Sequence, residues 1–411
     1  MARILFLMQW FNPEPQIKGL AFAKTISSLG FDIEVLTGFP NYPGGALYPG
    51  HTLKLLKIEQ LEGVRVLRTL LYPYHGGSSI KRILNYVSFG LSSLISGLIA
   101  AKRPHLIYSC GPPVTVGVSA AVLGLILRRP FVYDIQDLWP ETLASSGMLN
   151  NRTALKIVDL ICSWVYERAA HITVQSPGIR KILMKKGVPE EKISLVFNWC
   201  DESALSPAVG TSPTLAPRDG TNKTFDVLFA GTMGKLQCLD SVLEAAEILS
   251  SEAPTVRFLF MGGGIEVDRL QNLVKSRGIG NVAFLPRVSM AESGFALAQA
   301  SALLVHLRND PLFKFTIPAK TQAYMAAGRP ILMAVDGDAT ELVCAAKAGV
   351  YATPEDARSI ANAVLELLAM GPAKLDELGE NGRRYYEENL AFDVGARKFG
   401  AVFNAVLARN G

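Results

Sequence analysis

Several signatures that would assign an enzyme class at once are missing from this chain. Its five cysteines, Cys110, Cys162, Cys200, Cys238 and Cys344, are scattered. No CxxC pair or Cys/His cluster occurs, so neither a disulfide framework nor a zinc site is expected, and a reducing cytoplasm suits the chain. No GxGxxG follows the first strand candidate, which disfavours a dinucleotide site, and no GxxxxGK[ST] occurs, which argues against ATP hydrolysis by a P-loop. Charged residues make up 19% and the net charge is +5. That is modest for a nucleic-acid binder, but it suits an anionic ligand or an anionic membrane surface. Nothing reads as a signal peptide: the apolar run at 4–8 is short and reads as a strand. His75, His105 and His171 have no partner spacing and read as structural or solvated.

What is present is an alternation of strands and helices. With 411 residues and 49% hydrophobic content, the chain can bury the cores of two or more domains. Strands are expected over 3–8, 32–37, 64–68, 106–108, 131–135, 171–175 and 193–197, with helices over 20–29, 114–127 and 154–170. Composition shifts to Pro, Ser, Thr, Gly and Asn between 201 and 223, which reads as a linker. A second series follows, with strands over 225–230, 257–261, 282–285, 302–307 and 331–335. Its helices run to about 250 and 277, then over 290–300, 318–327, 355–370, 373–388 and 394–407. The pattern predicts an α/β protein of two doubly wound, Rossmann-like domains with a cleft between them.

The stretch 83–101 carries no charge and is flanked by Lys81, Arg82, Lys102 and Arg103. By length it is a marginal transmembrane candidate. Ile83, Leu84, Val87, Leu91, Leu94, Ile95 and Leu98 nevertheless fall at helical spacing, with serines and Asn85 largely elsewhere. Two readings stay open, a helix packed on the sheet and a helix lying in a membrane interface.

The second half is organised around 313–335, FKFTIPAKTQAYMAAGRPILMAV. Here a loop leads into a helix opened by Pro318 and closed by Gly328, with Pro330 preventing continuation. In parallel sheets ligands sit beyond the carboxyl ends of the strands, so the first turn, Pro318–Ala319–Lys320, faces the ligand side. A lysine there opposes the helix dipole unless an anion binds, so Lys320 reads as a phosphate clamp or, failing that, a solvated lysine. Two glycine-rich loops, Gly231 to Gly234 and Gly262 to Gly264, directly follow strands. They suit a nucleotide, since glycine lets backbone N–H groups approach a phosphate, though glycine also simply makes tight turns. Arg308, after His306, is a weaker phosphate candidate. In the first half Asp134, Asp137 and Glu141 gather in YDIQDLWPE, where carboxylates can orient hydroxyls or take a proton. Helix capping by Asp137 is the plain alternative. The loops at 9–19 and 38–50 are long enough to be functional.

With these residues laid out, the chain resembles a retaining glycosyltransferase of the two-domain GT-B type, family four. It is most similar to the branch serving bacterial polysaccharide and O-antigen synthesis, N-acetyl-fucosaminyl transferases included. The likeness covers nearly the whole chain. It rests on QWFNPEPQIKG, DIQDLWPE and KKGVPEEKISLVFNWCD, then on LFAGTMGKLQCLDSVLEAAEIL, FLFMGGG, NVAFLPRV and IPAKTQAYMAAGRPI.

The resemblance implies an acceptor-binding domain over 1–202, a linker over 203–223 and a nucleotide-sugar domain over 224–392, with the final helix, 393–411, crossing back onto the first domain. It implies a donor site containing Gly231, Thr232, Gly234, Lys235, Gly262, Gly263 and Gly264, with the base near Phe284, Pro286 and Arg287. Pro318, Ala319, Lys320 and Ala323 lie on the organising helix, and Gly19 ends a loop that approaches the donor phosphates. The family usually carries two glutamates eight residues apart at this helix; those positions are Phe315 and Ala323 here. Its usual phosphate-binding Arg and Lys correspond to Thr232 and Gln237, and a histidine of many relatives to Gln136. Asp137, Lys320 and Asp134 are then the catalytic candidates, with no metal and no cofactor beyond the nucleotide sugar. The partners implied are a UDP-sugar donor and a lipid-linked saccharide acceptor, as in lipopolysaccharide or capsule synthesis, with peripheral contact at the inner face of the plasma membrane and no nucleic acid. A non-catalytic scaffold subunit and, less readily, an epimerase or phosphorylase are the alternatives.

Overall fold

The computed structural model describes residues 1–205, 224–288 and 290–410. The linker expected over 203–223 lies, from 206 onward, outside the described residues. The chain separates into two compact units, Met1–Phe197 with Gly395–Gly411, and Asn198–Val394. Residues 198–202, expected with the first domain, pack with the second. The Cys200 N–H donates to the Tyr386 hydroxyl (3.2 Å), which donates to Glu202 Oε1 (2.9 Å).

The first unit runs β1 (Ala2–Met8), α1 (Leu20–Ser28), β2 (Phe31–Gly38), β3 (Leu56–Leu61), β4 (Val64–Thr69), α2 (Ser79–Ile99), β5 (Leu106–Gly111) and α3 (Val114–Leu127). It continues with β6 (Phe131–Ile135), α4 (Glu141–Ser145), α5 (Arg152–Arg168), β7 (His171–Val174), α6 (Pro177–Lys185) and β8 (Ile193–Leu195). Its eight strands lie in the order β3-β4-β2-β1-β5-β6-β7-β8, parallel except for the antiparallel β3–β4 pair. Strands buried on both faces read as unbroken apolar runs, as ILFLM in β1 does.

Helix α2 departs from the simpler expectation. Its apolar stripe does not face the sheet. Asn85, Tyr86, Phe89, Gly90, Ser93, Ser96 and Gly97 are buried, while Ile80, Ile83, Leu84, Val87, Leu91, Ile95, Leu98 and Ile99 are exposed. The inner face holds by close approach and hydrogen bonds. A Cβ on Gly97 would come within 2.9 Å of Leu123, and one on Gly90 within 3.2 Å of Thr115. Ser119 Oγ donates to the Gly90 carbonyl (2.8 Å), Thr69 and Ser96 hydroxyls pair at 2.7 Å, and Asn85 Nδ2 donates to the Tyr72 carbonyl (2.6 Å). Small and polar residues thus seat the helix on α3 and the sheet, and the long aliphatic ones are left outside. Among the described residues α2 is the one helix long and apolar enough to cross a membrane; here it lies along the domain.

The second unit runs β9 (Phe225–Thr232), α7 (Asp240–Glu252), β10 (Val256–Gly263), α8 (Val267–Arg277), β11 (Val282–Leu285), α9 (Met290–Gln299), β12 (Ala302–His306) and α10 (Ala319–Ala327). It closes with β13 (Ile331–Ala334), α11 (Asp338–Ala345), β14 (Gly349–Tyr351) and α12 (Ala357–Asn389). Its sheet is parallel in the order β11-β10-β9-β12-β13-β14. Helix α12 breaks at Gly371 (φ 73°) before Pro372, which divides it into the two helices expected there. Pro318 is the N-cap of α10 and Gly328 (φ 68°) its left-handed C-cap.

The last helix, α13 (Phe392–Asn410), belongs to the first unit from Gly395 onward. Phe399 meets Phe22 edge-on at 5.2 Å between centroids, and Phe403 meets Tyr108 at 5.4 Å and Phe6 at 6.2 Å. Each such pair adds roughly 0.5–1.5 kcal/mol beyond area burial.

Candidate functional site

In the second unit, β9 and β10 run in register to their ends, pairing Gly231 with Gly262 and Thr232 with Gly263. The backbones there approach so closely that a Cβ on Gly262 (φ +138°) would sit 2.0 Å from the Gly231 carbonyl oxygen, and one on Gly264 (φ +153°) 2.1 Å from the Met233 oxygen. The packing of one loop on the other therefore requires glycine at both positions. Gly263 has nothing within 4 Å of its Cβ position, and Gly231 and Thr232 are exposed. The Gly234 N–H donates to Gln237 Oε1 (3.0 Å), so Gln237 closes the loop on which Lys235 stands exposed.

Lys320 lies in the first turn of α10. Its Nζ is buried, sits 3.5 Å from the centroid of the Phe229 ring, and has no hydrogen-bond partner among the described residues. A Cβ on Gly231 would lie 3.4 Å from that amine. Desolvation pushes the Lys320 pKa down to about 7. The solvated-lysine alternative is overturned: the amine is dry, unpaired and aimed at the glycine strand end. The helix is fastened there by Tyr324, whose hydroxyl accepts from the Ala230 N–H (2.9 Å) and donates to the Ala230 carbonyl (3.2 Å). Thr321 Oγ1 is also buried without a partner among the described residues. Ala319 is exposed and Ala323 half-buried.

His306, given no role in the sequence reading, proves to be the hub behind these loops. Its ring Nδ1 lies 2.6 Å from the Gln237 carbonyl, its Nε2 3.1 Å from Ser241 Oγ, and the Glu355 N–H donates to Nε2 (3.3 Å). Burial lowers its pKa to about 4, so it stays neutral. Glu355, at φ +61°, accepts from the Asn309 N–H (2.5 Å) and the Cys238 thiol (2.9 Å). Arg308, partly exposed, pairs through one guanidinium nitrogen with Asp310 (2.9 Å). Phe284 stacks on Phe260 (5.4 Å, 23°) at the core, while Pro286 and Arg287 are exposed beyond the end of β11.

In the first unit Asp134 is not a reacting group. It is 1% exposed and fully engaged, with Lys18 Nζ at 2.6 Å, the Tyr108 hydroxyl at 2.9 Å, Gln136 Nε2 at 2.9 Å and Thr173 Oγ1 at 2.7 Å. Lys18 is 2% exposed, and its amine also lies 4.8 Å from the Phe399 ring centroid. The pair anchors the loop between β1 and α1. Glu14 in that loop accepts N–H bonds from Phe11 (3.0 Å), Asn41 and Tyr42 (both 2.8 Å), and burial raises its carboxyl pKa in spite of them. Buried Arg68 donates to the Asn12 and Gly38 carbonyls. A Cβ on Gly19, the N-cap of α1, would meet Asn12 Oδ1 at 2.3 Å. Sequence reading passed over Lys18 and Glu14, although charges inside the QWFNPEPQIKG loop were a signal.

Asp137 differs from Asp134. It is exposed, no described group hydrogen-bonds to it, and α4 is capped by Pro140 without side-chain help, so helix capping is excluded. The surrounding protein removes part of the carboxyl's hydration and raises its pKa. Its charge is felt by Tyr42 and Tyr86. Those rings belong to an aromatic group in which Trp10 lies 4.8 Å from Tyr42 and 6.4 Å from Tyr86, His75 4.7 Å from Tyr42, and Trp139 6.0 Å from Tyr86. Trp10 Nε1 and Arg82 Nε are buried without partners among the described residues. Glu141, the third acid of the cluster, is paired with Lys186 (2.9 Å). Among the described residues no group of three or more His, Cys, Asp or Glu is placed to hold a metal.

Comparison with known proteins matches both halves. A family model described as Glycosyl transferase 4-like domain covers residues 20–199, and one described as Glycosyl transferases group 1 covers residues 216–385. WbjE of Pseudomonas aeruginosa, named as a glycosyltransferase, is 23% identical over 315 residues, 75% of this chain and 77% of that protein. WcaI of Escherichia coli (strain K12), named as a colanic acid biosynthesis glycosyl transferase, is 26% identical over 297 residues, 68% and 71% of the two chains. The structure of Anabaena Alr3699/HepE in complex with UDP-glucose superposes with a TM-score of 0.67 at 17% identity, covering 98% of this chain and 100% of that one.

Proposed function

The chain is a glycosyltransferase of the two-domain GT-B type, and from that premise we propose that it moves a hexose-type sugar from a UDP-sugar to a lipid-linked saccharide. On the likeness to N-acetyl-fucosaminyl transferases, the sugar is an N-acetylamino sugar and the product belongs to a surface polysaccharide, O-antigen or capsule. The enzyme works peripherally at the inner face of the plasma membrane. UDP as the carrier draws on the HepE complexes, which hold UDP and UDP-glucose.

One observation carries the donor assignment, the buried, unpartnered Lys320 amine at the N-terminus of α10. An isolated ammonium in such a place is costly, and a diphosphate would repay it by restoring full protonation and accepting from the free N–H groups of the helix. Gly263, Thr232 and Lys235 complete the phosphate side, with Pro286 and Arg287 toward the base. In the reaction the acceptor hydroxyl oxygen bonds to the anomeric carbon as the bond from that carbon to the UDP β-phosphate oxygen breaks. Retention places both on one face of the sugar. Lys320 and the helix N-terminus balance the charge on the departing diphosphate, and the hydroxyl proton passes to the Asp137 carboxylate. The partly exposed rings of Tyr42 and Trp139 in that group offer apolar surfaces for acceptor sugars.

A thermal-shift screen against UDP, GDP, ADP and TDP and their sugars tests the donor. The expected result is a rise in melting temperature with UDP ligands alone, abolished in Lys320→Ala. A shift of equal size in that variant removes Lys320 from the site.

A further inference from the structure

Helix α2 is turned inside out relative to an ordinary domain helix, and no described element covers what it shows to solvent. Ile80 is 80% exposed, Leu91 61%, Ile95 57% and Ile99 78%. Helix α3 lies against both α2 and α5, and these neighbours also carry exposed apolar residues. Ile157, Leu160 and Ile161 of α5 are exposed, Leu160 at 70%, as are Leu125 and Ile126 at the end of α3. An apolar surface of this extent on a folded domain marks an interaction face.

The surrounding charge identifies the occupant. From Gly63 to Tyr133 there is no acidic residue, while Lys81, Arg82, Lys102, Arg103, Arg128 and Arg129 stand at the ends of α2 and α3. Arg152 and Lys156 open α5. Lys81, Lys102, Arg103, Arg128, Arg129, Arg152 and Lys156 are exposed, and none of them forms a salt bridge among the described residues. A second copy of this chain meeting the same face would bring like-charged rims together, which opposes a symmetric dimer. An anionic bilayer accepts both parts, because the aliphatic residues enter the acyl boundary while the basic ends meet headgroups.

We propose that the α2–α3–α5 layer is a membrane-docking face, with α2 lying in the interface of an anionic lipid bilayer and the basic residues at the helix ends on lipid phosphates. This deepens the lipid-linked acceptor reading and rests on it for its purpose, since Tyr86 in the N-terminal part of α2 feels the charges of both Arg82 and Asp137. The docking itself needs neither donor nor acceptor.

The test is co-sedimentation of the full chain with phosphatidylcholine vesicles, with and without phosphatidylglycerol, at low and high salt. Binding is expected to the anionic vesicles, on the order of tenfold weaker on neutral ones and weakened by salt. Leu91→Gln/Ile95→Gln should release the protein by a similar factor. Both positions are exposed, so the melting temperature stays put. Failure of the wild type to sediment, or unchanged binding of the double variant, overturns the proposal, as does a light-scattering mass showing an oligomer that the double variant dissolves. UDP-induced thermal shift in the same preparations separates the two ideas: a retained shift with no vesicle binding sinks the docking face alone, and the reverse sinks the donor reading alone.

Discussion

Lys320 concentrates the residue-scale argument. An unpaired buried amine opposes folding, because the unfolded chain keeps that lysine protonated up to its ordinary pKa while the folded protein lets it go near 7. Below pH 7 the penalty is largest. Between 7 and the unfolded value the unfolded state binds more protons, so the penalty shrinks by about 1.4 kcal/mol per pH unit. Lys320→Met is therefore expected to melt several degrees higher than wild type at pH 6, with a smaller advantage at pH 9, while losing UDP binding. Scanning calorimetry at the two pH values checks it. In the wild type, UDP affinity should fall as pH rises through 7.

The two aspartates of DIQDLWPE separate by environment. Asp134 is a buried ion-pair partner, so Asp134→Asn or Lys18→Met strands a charge and should cost about 3–5 kcal/mol in urea unfolding. Asp137 has no hydrogen-bond partner among the described residues, so Asp137→Asn should not lower the melting temperature and should cut turnover by roughly 10²–10⁴. Because its carboxyl pKa is raised, the acid limb of turnover is expected above the usual aspartate range. A stable but fully active variant removes the proton-transfer role. Sequence placed both acids at one strand end. It could not tell which was engaged, because Lys18, Tyr108 and Thr173 arrive from three other segments.

At the scale of elements, the glycine loops show a motif read correctly in place and incompletely in cause. Gly262→Ala should destabilise by about 2 kcal/mol or more, since its Cβ position lies 2.0 Å from the Gly231 oxygen and its φ is +138°. Gly263→Ala, with open space there, should fold normally and report on the ligand alone. A comparison of melting temperature and UDP shift in the two variants checks this. Helix α2 is the element whose existence was plain and whose facing was not. Period alone marks two faces, and which one goes inward depended on Gly90 and Gly97 meeting α3. Short or edge elements, β3, β14 and α11, escaped sequence reading because too few residues carry a period.

At the scale of the whole molecule, the C-terminal segment from Gly395 completes the core of the first unit. Phe403→Ala removes contacts to Phe6, Phe31 and Tyr108 and is expected to cost about 3–5 kcal/mol. Chemical unfolding followed by tryptophan fluorescence, to which Trp10, Trp139 and Trp164 of the first unit contribute, should detect the loss.

Alternation of apolar strands with helices, glycines at strand ends and a proline-opened helix bearing Lys320 were local patterns, and the sequence determined from them two doubly wound domains and a phosphate-side helix terminus. Tertiary structure decided which charges are spent and which are free. Asp134, Glu141 and Arg308 found partners, while Lys320 and Asp137 have no hydrogen-bond partner among the described residues. It also decided that the aliphatic stripe of α2 faces outward. Pairing and facing depend on distances between segments remote in the chain, and a periodicity read along one segment contains no such distance.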